Sequence, residues 1–172
     1  MKEKGYVQVY TGNGKGKTTA ALGISLRAVC AGFQVFFGQF AKGMEYSELQ
    51  AQKLLPGFTM RQYGRDAFIH GNPGPEDVEK ARAGLSEVKK EMLSGKYDLV
   101  VCDELNIALF FRLIPVEDVI DLIDHKPEHT ELIITGRYCP EEIIEKADLV
   151  TEMREIKHYF TQGVMAREGI ES

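Results

Sequence analysis

Few cysteines, no excess of basic charge and no apolar run of membrane-spanning length are the first features of this 172-residue sequence. Cys30, Cys102 and Cys139 lie far apart, form no C-x-x-C pair and are odd in number, which argues against a disulfide framework. Two of them sit in apolar runs, where cysteine serves as a small buried hydrophobe. A formal net charge of −5 leaves no basic stripe, so nucleic acid is not an expected partner. Neither a signal peptide nor a transmembrane stretch is visible, which excludes a membrane role and points to a reducing cytoplasm. The length suits a single domain with its own core.

What is present is organised around residues 6–20. A short apolar run with Val7 and Val9 is broken by Gly12, Gly14 and Gly16, and Lys17, Thr18 and Thr19 then open a helical pattern. Strand, glycine loop and helix in that order read as a phosphate-binding P-loop. Glycine permits backbone dihedrals that turn successive N–H groups toward one anion, and the helix N-terminus adds partial positive charge at the same point. Lys17 is expected between phosphate oxygens, and the Thr18 hydroxyl on Mg²⁺. The spacing is one residue tighter than G-x-x-x-x-G-K-[ST]: position 11 is Thr11, the glycine is Gly12, and Lys15 adds a cation.

Along the chain, apolar runs and helical periods alternate. Leu22, Leu26, Val29 and Cys30 recur at helical spacing up to Gly32; strands are expected over 34–40, 58–63, 97–102, 131–135 and 149–153, and helices over 47–55, 75–93, 115–123 and 141–146. This predicts a three-layer α/β domain with a mostly parallel sheet. The strand at 97–102 ends in Asp103-Glu104, a Walker B arrangement that sets a carboxylate beside the Mg²⁺ held by Thr18. The irregular stretch 64–75, with Phe68 and His70, reads either as a lid or as a surface loop folded on its own side chains. His125 and His129 flank Pro127 and are read as loop residues rather than a metal pair. Arg137, after the strand at 131–135, is placed either to reach a phosphate or substrate carboxylate or to make a surface ion pair.

Several stretches together resemble the P-loop corrinoid adenosyltransferases. They are TGNGKGKTTAALG at 11–23, GQFAKG at 38–43, YGRDAFI at 63–69, DELNIAL at 103–109, ITGRYCPEEIIEKADLVTEM at 134–153 and KHYFTQGVMAREGIES at 157–172. The resemblance implies attack of cob(I)alamin, or of a cobinamide-like corrinoid, on the 5′ carbon of ATP with release of triphosphate. It also implies a fold of P-loop NTPase (RecA-like) type, a homodimer, Mg²⁺ (or Mn²⁺), a corrinoid over the carboxyl edge of the sheet and a flavoprotein reductase as electron donor. Carried over by residue, Gly12, Asn13, Gly14, Lys15, Gly16, Lys17, Thr18 and Thr19 would hold ATP together with Arg137. Thr18, Glu104 and Asp103 would bind the metal, and Lys17, Thr18 and Glu104 would carry the chemistry. Gln39, Lys42, Phe68 and Asn106 would line the corrinoid or nucleotide site. The chain departs from some members in having no tryptophan near 66–69, where Phe68 would have to displace the lower axial ligand, and in beginning almost at its first strand, without an N-terminal extension. The alternatives are a P-loop kinase or ATPase cleaving at the γ-phosphate, with ADP as product, and a nucleotide-dependent binding module that leaves ATP intact.

Overall fold

Six short runs rich in branched and aromatic residues become strands, and those at the centre of the sheet are buried on both faces. The computed structural model describes residues 3–41, 43, 46–64 and 73–171. In chain order the elements are β1 (Val7–Thr11), α1 (Lys17–Cys30), β2 (Val35–Phe40), α2 (Ala51–Leu54), β3 (Phe58–Tyr63), α3 (Pro75–Leu93), β4 (Leu99–Asp103), α4 (Leu105–Phe110), α5 (Val116–Asp124), β5 (Glu131–Thr135), α6 (Glu141–Lys146) and β6 (Leu149–Glu152). A 3-10 turn, Ser47–Gln50, leads into α2, and another, Tyr159–Gln162, follows β6. Pro75 starts α3 with its fixed φ, and the Asp77 carboxylate accepts the Gly74 N–H at 2.8 Å.

The strands form one sheet, ordered β3-β2-β4-β5-β1-β6, and every pairing is parallel. Alternation along the strands divides the core in two. Phe36, Phe40, Val100, Cys102, Leu132 and Ile134 pack with α3, α4, α5 and α6. Tyr10, Phe37, Val101 and Ile133 point the other way, to α1 and α2. Helices therefore cover both faces, giving the three layers expected from the pattern. Each fully buried Phe or Ile contributes about 1.5–3 kcal/mol of transfer free energy, so the central strands anchor everything attached to their ends.

Register decides which side chains meet at the carboxyl edge. Gln39 lies opposite Asp103, Cys102 opposite Ile134, and Tyr10 opposite Thr135. Asp103 thus ends β4 between Gln39 and Thr135, one residue beyond the hydrophobic layer. Among the described residues no helix is long and apolar enough to cross a membrane.

Candidate nucleotide site

The glycine loop joins β1 to α1 at this edge. Gly12 and Gly16 have φ of 95° and 116°, in the left-handed region that side chains disfavour. Lys17, the first residue of α1, folds back: its Nζ donates to the carbonyls of Gly12 and Gly14, both at 2.8 Å. Burial pulls its pKa below the ordinary lysine value; the Glu104 and Asp103 carboxylates oppose the shift and Arg137 adds to it. Lys17, Glu104 and Arg137 therefore lie in one electrostatic field although β4 and β5 supply two of them.

Asp103 is fully buried at the floor. Its Oδ1 accepts from the Thr18 hydroxyl at 2.9 Å and the Thr135 hydroxyl at 2.7 Å, and its Oδ2 accepts from Gln39 Nε2 at 3.3 Å. Those bonds supply the compensation a buried carboxylate needs. The next residue, Glu104, has φ of 57°, a conformation that costs a non-glycine residue of order 1–3 kcal/mol and that clusters at functional sites. Its backbone N–H donates to Thr135 Oγ1 at 3.0 Å, which holds the turn.

Lys17, Thr18, Thr19, Glu104 and Arg137 line a cleft of about 480 Å³. Gly14, Lys15 and Gly16 belong to the same wall, so the glycine loop, the acidic end of β4 and the exit of β5 share one space. The volume lies within the range of nucleotide and cofactor pockets.

Two residues expected to line the site sit behind it. Gln39 is fully buried; its amide donates to Glu48 as well as Asp103, and its oxygen accepts from Gln62 at 3.1 Å. Asn106 is fully buried in α4 and donates to the Gly136 carbonyl at 3.1 Å, one residue before Arg137. The expectations on Lys42 and Phe68 fall outside the described residues.

The tail enters the site in a way motif reading missed. Gly14 N–H donates to the Met153 carbonyl at 2.7 Å, so this amide serves the tail rather than an anion. A Cβ on Gly12 would lie 2.4 Å from the same carbonyl oxygen. His158, Gly169, Ile170 and Glu171 complete the cleft. The stretch 157–172 carried a family resemblance but no local pattern that names its partner.

Residues 3–172 match the family model described as ATP:corrinoid adenosyltransferase BtuR/CobO/CobP. The corrinoid adenosyltransferase CobA of Salmonella typhimurium (strain LT2) is 37% identical over 180 residues, covering 99% of this chain and 87% of that protein. The corrinoid adenosyltransferase of Escherichia coli (strain K12) is 35% identical over 178 residues, covering 98% and 86%. One from Sinorhizobium sp. is 36% identical over 173 residues, covering 98% and 81%.

Proposed function

Because this chain belongs to the ATP:corrinoid adenosyltransferase family, we propose that it moves the 5′-deoxyadenosyl group of ATP onto the reduced cobalt of a corrinoid and releases triphosphate. The structural observation that carries the proposal is the convergence of Lys17, Thr18, Glu104 and Arg137 in one cleft above the buried Asp103. A β1–glycine loop–α1 unit with acids at the end of a nearby strand supports a fold of P-loop NTPase type.

The cobalt of cob(I)alamin is a strong nucleophile with no proton to lose, so attack on the 5′ carbon needs no general base. The demanding group is the departing triphosphate, whose charge grows as the C–O bond breaks. Lys17, held by the Gly12 and Gly14 carbonyls, would meet that charge at the glycine loop, and Arg137 would meet it across the cleft. Burial of Lys17 strengthens its interaction with an incoming anion. Thr18, Asp103 and Glu104 would hold Mg²⁺ (or Mn²⁺): a hydroxyl and two carboxylates suit a hard cation that completes its shell with phosphate oxygens. When bound, the ion supplies positive charge against the triphosphate.

A homodimer, a flavoprotein reductase and a cytoplasmic setting complete the reading. Leu149 and Val150 on edge strand β6, 46% and 40% exposed, offer apolar area that a second copy would cover. Light scattering of the purified chain tests this; twice the chain mass is expected.

The deciding experiment is anaerobic incubation with Mg·ATP and chemically reduced cob(I)alamin. Light-sensitive adenosylcobalamin and triphosphate are expected, with the rate reduced about 10²- to 10³-fold or more in Lys17→Ala. ADP beside an unchanged corrinoid would replace the proposal with a kinase or ATPase.

A further inference from the structure

After β6 the chain turns back across the glycine loop at Met153 and Arg154 and meets it again at Lys15. The loop and the tail approach more closely than side chains allow: a Cβ on Gly14 would lie 2.8 Å from the Arg154 carbonyl carbon. Further along, two side chains from the tail, Glu171 and Tyr159, converge on Lys15, and a third, Arg167, holds both of them. Its ammonium donates to Glu171 Oε1 at 2.6 Å and to the Tyr159 hydroxyl at 3.0 Å, and lies 5.7 Å from the centre of the Tyr159 ring. Tyr159 donates to the same carboxylate. Arg167 donates to Glu171 through its backbone N–H at 3.0 Å, Nε at 3.2 Å and a terminal nitrogen at 3.1 Å. Its guanidinium lies 5.2 Å from the Tyr159 ring centre.

The Glu171 side chain is only 14% exposed, and all of these hydrogen bonds except that from Lys15 to Tyr159 are made to its two oxygens. Gly169, Ile170 and Glu171 line the same cleft as Lys17 and Arg137. The final turn is thus a wall of the candidate nucleotide site, and one carboxylate ties it to the glycine loop. Two cations, Lys15 and Arg167, surround this single anion, so these three side chains together keep a net positive charge, and Lys15 is the one of the two cations that lines the cleft. A ligand displacing Glu171 would have to break contacts to Lys15, Tyr159 and Arg167 together, which favours positioning over competition.

We propose that Glu171 is a positioning residue for ATP, fixing Lys15 and the C-terminal turn against the glycine loop so that nucleotide affinity depends on the tail. The proposal rests on the nucleotide reading of the cleft. Its test measures the dissociation constant of Mg·ATP by calorimetry, and KM and kcat for each substrate, in the full chain and in Glu171→Ala, Glu171→Gln, Lys15→Ala and Glu171→Ala/Lys15→Ala, with Lys17→Ala as control. In Glu171→Ala, the dissociation constant and the KM for ATP should rise about 10-fold, the size of one charge-assisted contact, with a smaller change in kcat and in the KM for corrinoid. The double variant should be no weaker than the weaker single one, because both substitutions break the same link. Hydrogen exchange over 154–171 should be faster in Glu171→Ala at an unchanged unfolding midpoint. If Glu171→Ala folds poorly, Glu171→Gln, which removes the charge and keeps the shape, carries the same expectation.

Unchanged affinity in the Glu171 variants, with wild-type binding lost in Lys17→Ala, would overturn the tail proposal alone. Tighter binding would overturn it in the other direction, by making the carboxylate a competitor of phosphate. No binding to the wild-type chain would remove the nucleotide reading and this proposal with it.

Discussion

A cysteine reacts as its thiolate, and surroundings sort the three in this chain. Cys30 is exposed, Cys102 is fully buried in β4, and Cys139 is partly buried after β5. Burial pushes the Cys102 thiol far up and the Cys139 thiol up to about 12, with a hydrogen bond from Asn106 acting against the latter shift. A disulfide reagent with a coloured leaving group should therefore label one thiol quickly in the native chain, and Cys30→Ser should remove that phase. With its pKa pushed up to about 12, the Cys139 thiolate stays a minor species at pH about 9, so its labelling should remain slower than that of the exposed thiol and keep rising about tenfold per pH unit; a plateau near pH about 9 would contradict the burial argument. At this scale the sequence was readable where chemistry is local. Lys17 and Thr18 follow a glycine loop, and Asp103-Glu104 ends an apolar run, so their meeting needs only one strand–loop–helix unit and one further strand of the same sheet, with β5 between them. Gln39 and Asn106 showed their identity but not their direction, since alternation within a doubly buried strand or a short helix does not say which face looks into a cleft. Glu171 and Tyr159 were invisible as partners of Lys15 because no spacing relates residues at opposite ends of a chain.

Glycines inside helices separate intrinsic propensity from packing. Gly23 lies within α1 with nothing within 4 Å of the position a Cβ would take. Gly84 lies within α3, where a Cβ would come to 2.3 Å from Cγ of Tyr63 on β3. Gly23→Ala should stabilise the fold by about 0.5–1 kcal/mol through reduced backbone freedom in the unfolded chain. Gly84→Ala should destabilise it by about 1–3 kcal/mol despite the better helix former, because the Tyr63 ring or all of α3 must shift. Urea unfolding midpoints, compared at equal slope, check both signs. A third glycine, Gly136, sits at φ 131° against Asn106, and an added Cβ would lie 2.9 Å from the Asn106 Cβ. Gly136→Ala should therefore slow adenosyl transfer as well as destabilise, since it moves the backbone that carries Arg137; activity unaltered at full stability would sink that link. The strands were legible as apolar runs, and α1, α3, α5 and α6 fell within a residue or two of their expected bounds. α4 was not anticipated. Its six residues are too few to display a helical period, and it begins directly after the left-handed Glu104 that ends the acidic motif.

At the scale of the molecule, strand order is what periodicity does not contain. β1, first in sequence, lies between β5 and β6, with Val7 opposite Leu132 and Gln8 opposite Leu149. The glycine loop consequently takes its place only when the last third of the chain has joined the sheet. Refolding from urea should be slow, on the order of milliseconds to seconds or longer, because loop-closure entropy is spent before these pairings form. Stopped-flow fluorescence of the tyrosines would follow it, and a phase of microseconds accounting for the full amplitude would contradict the topology argument. The same arrangement has a practical side. Glu3 and Lys4 border a cavity with Asp98 and Glu131, at the strand starts, whereas Glu171 borders the nucleotide cleft at the strand ends. A purification handle joined beyond Glu171 would start beside the cleft, whereas one joined ahead of Glu3 would start at the far rim of the sheet. The front end is the one to tether when this chain is immobilised or joined to another enzyme.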